Sequence, residues 1–335
     1  MAPEPGLPTG KLPPELLRGL ILGQLGARRP ETLVRAAVGV DCAAIKLDDS
    51  GWACVLKTDP ITTATSGAGR LAVHVVCNDL ATSGAEPVGL LATLLFPAGV
   101  QPERIAELSR EIDETARELN IEVLGGHTEV APGLSQPLVV MSGVGRARAD
   151  RLLTAAGARP GDALVLTKAA ALEGTHILAN DLAERLAGAV AGDLLDEARG
   201  YGAELSVLPE ARLAVELGAS ALHDPTEGGV LGAVWEMAEA SGSGVFVEAE
   251  RIPVRAATRA ICDALGADPL RLIASGALLI ACPDGQHMTS ALVHQGIPAA
   301  QIGQFTAGER RLRTPDGRDE PLETVGRDEL YRLLD

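Results

Sequence analysis

The stretch Ala219-Ser220-Ala221-Leu222-His223-Asp224-Pro225-Thr226-Glu227-Gly228-Gly229 decides how this chain is read. Ala219 to Leu222 reads as a strand, and an acid-bearing loop follows. Two glycines then lead into Gly228 to Ala240, whose apolar spacing is helical. The amides of a helix N-terminus favour an anion, and Asp224 can hold a cation that accompanies it. Taken alone, Asp224 and Thr226 serve equally well as caps of the helix.

Working outward, four more acid-and-glycine motifs precede this one. They are Gly39-Val40-Asp41-Cys42-Ala43-Ala44, Thr58-Asp59-Pro60, Asn78-Asp79 and Gly125-Gly126-His127-Thr128-Glu129. Asp41 and Asp59 read as loop or strand-end acids. Asn78 and Asp79 fall late in a helical pattern over Ala68 to Ser83 whose preceding turn is apolar, so both side chains need partners. Gly125 and Gly126 read as a turn after a short strand, Glu122 to Leu124. Such glycines let backbone approach a phosphate closely. Several carboxylates in one region repel, and a cation relieves that. The set suits a magnesium–polyphosphate site, since magnesium takes a few carboxylates together with phosphate oxygens.

Lysine occurs only at Lys11, Lys46, Lys57 and Lys168, against 25 arginines. Lys57 adjoins Thr58-Asp59 and Lys168 adjoins Thr167, so both are candidates for a compact point charge beside a ligand. A coding preference for arginine produces the same count. The formal net charge of −16 argues against nucleic acid as a partner. The five cysteines form no Cys-x-x-Cys, so structural zinc and a disulfide framework are not expected and a reducing cytoplasm is. Cys42, inside an acidic motif, is a candidate neighbour of the ligand. No signal-peptide pattern and no run of about 18 apolar residues is present, so no membrane partner is expected. There is no Gly-x-x-x-x-Gly-Lys-Ser/Thr loop and no Gly-x-Ser-x-Gly elbow.

Residues 1–10, rich in Pro and Gly, read as a mobile extension, and Leu12 to Leu25 as a helix. Strands are expected over 43–47 and 52–58, around the turn Asp48-Asp49-Ser50-Gly51, and over 88–96, 138–144 and 163–167. Pro102 to Asn120 is the cleanest helix. The turn-rich segment Ala155 to Asp162 marks a domain boundary. The expected division is 1–38 as an extension with a helix, 39–154 as an N-terminal domain and 155–335 as a C-terminal domain. Both halves mix strands and helices, giving a mixed α/β or α+β class.

In their order, these motifs and Gly84-Ala85-Glu86-Pro87 resemble the superfamily of aminoimidazole ribonucleotide (AIR) synthase, thiamine-monophosphate kinase, selenophosphate synthetase and HypE. The resemblance covers about residues 39–310 and is nearest to the AIR-synthase-related, HypE-like branch. It implies a two-domain PurM-like fold, with N-terminal strands pairing across a homodimer and a C-terminal α+β domain. It implies ATP and Mg2+ in the cleft between the domains. By motif, Asp41, Asp59, Asp79 and Asp224 take the metal positions. Thr58, Asn78, Gly125, Gly126, His127, Thr128 and Lys168 are the expected nucleotide-binding set, and Lys57, Asp59 and His127 the expected catalytic set. His127 stands where an acid is common, with Glu129 beside it. The implied activity is ATP-dependent phosphorylation or activation of a carbonyl, amide or phosphate oxygen. The acceptor is a small molecule or a protein terminus. The alternatives are a nucleotide-binding maturation scaffold acting with a partner and a thiamine-monophosphate-kinase-like small-molecule kinase. HypE proteins end in a cysteine that accepts a carbamoyl group. This sequence ends Leu330-Tyr331-Arg332-Leu333-Leu334-Asp335, with its last cysteine at Cys282, so that reaction in its usual form is not expected.

Overall fold

The computed structural model describes residues 7, 9–62 and 67–334. Most of the extension expected over residues 1–10 lies outside them.

The expected first helix is only partly regular. A single α-turn, α1 (Pro14–Leu16), passes into a π-helical stretch over Leu17–Leu22, and no residue of either is buried. Without an apolar face packed against the domain, little enforces α-helical register.

The N-terminal half then runs β1 (Thr32–Val34), β2 (Ala43–Lys46), β3 (Trp52–Ile61), α2 (Ala68–Thr82), β4 (Glu86–Phe96), α3 (Pro102–Glu118), β5 (Glu122–Val130) and β6 (Leu138–Arg148). Its strands form a six-stranded sheet in the order β1-β2-β3-β6-β4-β5, antiparallel except for the parallel pair β4/β5. Alternation along β3 and β6 sends Ala53, Val55, Val139 and Met141 inward, where they are buried. Helices α2 and α3 cover that face. The opposite face is bare, and every residue of β5 is exposed.

Gly125 and Gly126 sit within β5, not in a turn after it, which corrects the expected short strand ending at Leu124. Opposite Gly126 on β4, a Cβ would fall 1.8 Å from the Ala92 carbonyl oxygen, so this close strand contact requires glycine.

The C-terminal half runs β7 (Ala163–Thr167), α4 (Leu172–Asp181), α5 (Ala183–Leu186), α6 (Gly192–Gly200), α7 (Leu208–Glu216), β8 (Ala221–His223), α8 (Gly229–Ser241), β9 (Gly244–Glu248), α9 (Ala256–Leu265), β10 (Leu279–Cys282), α10 (Gly285–His294), β11 (Ala299–Thr306), β12 (Arg310–Arg313), β13 (Asp319–Pro321) and α11 (Glu329–Leu334). A seven-stranded sheet has the order β13-β12-β9-β11-β7-β10-β8. The period-2 rule divides β7 between two cores. Leu164 and Leu166 pack with Val230, Val234 and Met237 of α8, while Ala163 and Val165 pack with residues of α7 and α10.

The two halves meet at α2, where all residues except Arg70 are buried. Its Leu71, Val73 and Val76 belong to the N-terminal core, and Ala81 packs with Val207, Ala211 and Ala214 of the C-terminal half. The end of α2 therefore lies where β3 and β8 converge.

Candidate functional site

Two elements and two loops deliver acids to that junction. Asp41 lies on the loop before β2, Asp59 on β3, Asp79 on α2 and Asp224 just beyond β8. Gly39 (φ +72°) permits the loop's approach to α8, since a Cβ there would meet the Glu236 carbonyl oxygen at 2.8 Å. Lys57, two residues before Asp59 on the same strand face, places its Nζ 3.2 Å from Asp59 Oδ1 and 2.9 Å from Asp79 Oδ2. The four acids expected as metal ligands, and the expected lysine, are thus brought together from both halves of the chain.

The electrostatics are unbalanced. Both carboxylate oxygens of Asp224 and Oδ2 of Asp59 are buried without a hydrogen-bond partner among the described residues. Burial pushes the Asp59 carboxyl up to about 8, with the nearby Asp79 charge adding to it and Lys57 opposing. Burial and the Asp224 charge raise Asp79 to about 7. Burial and the Asp41 charge raise Asp224 to about 6. Burial also favours a neutral Asp41, but the His223 charge and hydrogen bond outweigh it and hold this carboxyl below its ordinary value. A cluster of acids that keep protons near neutrality, with orphaned oxygens, is a site short of positive charge. The donors are carboxylate oxygens, and ligand atoms of Asp41, Asp224 and His223 lie within 4.8 Å of one another. That chemistry fits a hard divalent cation such as Mg2+.

His223 was part of the quoted motif but was not expected to act in the site. It is buried, with Nδ1 2.9 Å from Asp41 Oδ2 and Nε2 2.9 Å from Glu236 Oε2. Two carboxylates facing both ring nitrogens hold its pKa well above the ordinary histidine value, against the effect of burial. Its place beside Asp224 was the available signal; Glu236, on the second turn of α8, had none. Thr82 shares its one hydroxyl proton between the Asp79 carbonyl (2.7 Å) and Asp41 Oδ2 (3.1 Å), tying the loop to the end of α2. Cys42 is buried and donates to the Asp79 carbonyl (3.1 Å), and burial pushes its thiol far up, so it is a structural residue and not a nucleophile.

The remaining expected residues lie apart. Asn78 donates to the Leu205 carbonyl (2.8 Å) and accepts from the Val207 amide (2.9 Å). Lys168 donates to the carbonyls of Glu204, Ser206 and Gly276 and pairs with Glu210 at 2.6 Å. Both side chains secure the segment 204–207 and are spent on it. Thr58 accepts from Ser142 on the bare sheet face (2.9 Å). Gly125, Gly126, His127 and Thr128 sit on β5, three strands from β3, roughly 14 Å away at ordinary strand spacing. His127 Nε2 lies 3.1 Å from Glu129 Oε2, both exposed.

Of the amides at the start of α8, expected to face an anion, three are occupied. The Gly228 amide donates to Asp328 Oδ2 (2.6 Å), that of Gly229 to the Thr226 carbonyl and that of Leu231 to the Leu270 carbonyl. Asp328 itself takes the anion's place there.

Among the described residues no helix is long and apolar enough to cross a membrane. Comparison with known proteins adds the following. The family described as AIR synthase related protein matches through its N-terminal domain over residues 39–147 and through its C-terminal domain over residues 159–313. A carbamoyl dehydratase HypE from Azotobacter vinelandii is 33% identical over 277 residues, covering 79% of this chain and 78% of its own. A crystal structure of the hydrogenase maturation protein HypE in complex with ATP superposes with a TM-score of 0.72 at 25% identity, over 95% of this chain and 96% of that one. A HypE–HypF complex structure shares the fold, with a TM-score of 0.69 at 21% identity over 84% and 93% of the chains.

Proposed function

The chain belongs to the AIR synthase related family, in its HypE-like branch, and on that premise we propose that it is an ATP- and magnesium-dependent enzyme. It would activate a carbonyl or amide oxygen of its acceptor by phosphorylation. The observation that carries the reading is the buried acid cluster at the junction of the two halves, with both oxygens of Asp224 unpartnered among the described residues. Asp41, Asp59, Asp79 and Asp224 are the residues to hold metal, while His223 and Thr82 orient Asp41 toward them. The nucleotide would supply the phosphoryl group, and Mg2+ alone the positive charge that the carboxylates lack. With metal on the acids, Lys57 is free to turn from Asp59 and Asp79 toward phosphate oxygens. Such chemistry depends on positioning and charge stabilisation and needs no protein nucleophile.

The glycine motif enters through a second copy. The bare face of the N-terminal sheet carries Trp52 and Leu91, 45% and 43% exposed, and β5 adds Leu124. Closing this face against its equivalent gives a homodimer. That arrangement carries Gly125, Gly126, His127 and Thr128 toward the partner's cleft. The connector 155–162 is the proposed boundary between the domains.

The test is ADP release with Mg2+ in the presence of carbamoylated and thiocarboxylated peptides, ribonucleotides and thiamine phosphate. One acceptor class should stimulate turnover, and Asp59→Asn or Asp224→Asn should abolish it. If both variants keep wild-type nucleotide affinity and turnover, the site assignment is wrong. A scaffold that leaves the chemistry to its partner would bind nucleotide but release no ADP with any acceptor.

A further inference from the structure

The N-terminal segment lies along the same cleft. Gly10 packs on the Tyr331 ring of α11, with a Cβ built there 3.5 Å from the ring. Lys11 Nζ donates to Thr226 Oγ1 at 2.9 Å, in the loop between Asp224 and Gly228. Farther on, Arg18 pairs with Glu239 of α8, which also holds Arg310 at 2.8 Å. These three contacts lay the segment across the motif loop from α11 to α8.

Lys11 keeps exposed surface, but its ammonium reaches the Thr226 hydroxyl in the motif loop. Enclosure there works against its charge, yet Glu236, Glu227 and Asp79 outweigh this and hold its pKa above the ordinary lysine value, with Lys57 opposing. Thr226 takes one of its three donors. A magnesium-bound polyphosphate brings net negative charge into a cluster that already holds four aspartates. Three of the amides that open α8 cannot answer that charge, because Asp328 and backbone carbonyls occupy them. Two ammonium groups can: Lys57 from the sheet side and Lys11 from the motif-loop side.

We propose that Lys11, delivered by the N-terminal segment and parked on Thr226, is a phosphate-binding residue that closes onto the terminal phosphate of the bound nucleotide. This rests on the reading of the acid cluster as a magnesium–nucleotide site. The segment then distinguishes a triphosphate from a diphosphate, holding the first and releasing the second after transfer.

Calorimetric titration of a non-hydrolysable ATP analogue and of ADP, each with Mg2+, into wild type, Lys11→Met and Lys11→Arg tests it. Lys11→Met should weaken the triphosphate about tenfold and ADP by less than about twofold, with Lys11→Arg recovering most of the loss. Equal weakening of both ligands, or no weakening of either, would overturn the assignment and leave the nucleotide site standing. Absence of binding to wild type would overturn the nucleotide reading itself, and Lys11's role with it.

Discussion

The central strands of the C-terminal half's seven-stranded sheet are covered on both faces, whereas the six-stranded sheet of the N-terminal half is covered on one. All five residues of β7 and all four of β10 are buried, and both strands are runs of small or apolar residues. Residues of β3 and β6 alternate, and their outward set includes Trp52, Thr58 and Ser142. The first sheet is finished within one chain. The second, with an edge strand wholly exposed and apolar side chains on its open face, is built to meet something else.

The difference can be broken with matched substitutions. Leu164→Asp buries an unpaired carboxylate against α8, and a cost above about 4 kcal/mol should leave no folded protein by circular dichroism. Leu91→Asp, on the open face, should leave the fold and melting temperature within a few degrees of wild type. Light scattering should then report a monomer where wild type is a dimer. If Leu91→Asp unfolds the chain as Leu164→Asp does, or if wild type is itself monomeric, the open face is not the interface.

A smaller effect sharpens the contrast at the junction. Asp224, Asp79 and Asp59 have folded-state pKa values raised to about 6, 7 and 8. Carboxyls raised in this way contribute stability that is full below about pH 4 and is lost as pH climbs through these values. The ligand-free protein should therefore melt progressively lower between pH 5 and 8. On the proposed site Mg2+ would bind the ionised forms, so it should raise the melting temperature more at pH 8 than at pH 5.5. Asp224→Asn should flatten the pH dependence and raise the metal-free melting temperature at pH 8 by a degree or two. A pH-independent melting temperature would mean that these acids are not strained in the folded protein.

The same contrast explains what could be read from sequence. Continuous apolar runs marked β7, and 3.6-residue periodicity marked α2 and α3 to within two residues at each end. Strand β5 was foreshortened because Gly125-Gly126 looks like a turn. Their pairing with Leu91 and Ala92 of β4 shows that these glycines continue the strand. Strand β1 has three residues and no alternation long enough to detect. In the site, the order of Asp41, Asp59, Asp79 and Asp224 was legible because each sits in a motif with its own turn or element end. Asn78 reads from sequence as a polar group in need of partners, and Lys168 as a point charge beside a ligand. Their partners proved to be backbone of the 204–207 segment, and contacts so distant in sequence leave no local pattern. Lys11 and Glu236 reach the cleft by tertiary folding of the N-terminal segment and of α8, and nothing adjacent to either residue announced it.

The central claim is that acids from both halves form one metal–nucleotide site at the end of α2. A crystal soaked with Mn2+ and a non-hydrolysable ATP analogue tests it most directly, read as an anomalous difference map at the manganese edge. The account predicts a peak bounded by carboxylates of Asp224 and at least one of Asp41, Asp59 and Asp79, with phosphate oxygens completing the coordination. A nucleotide bound elsewhere, or a manganese peak remote from Asp224, would contradict it.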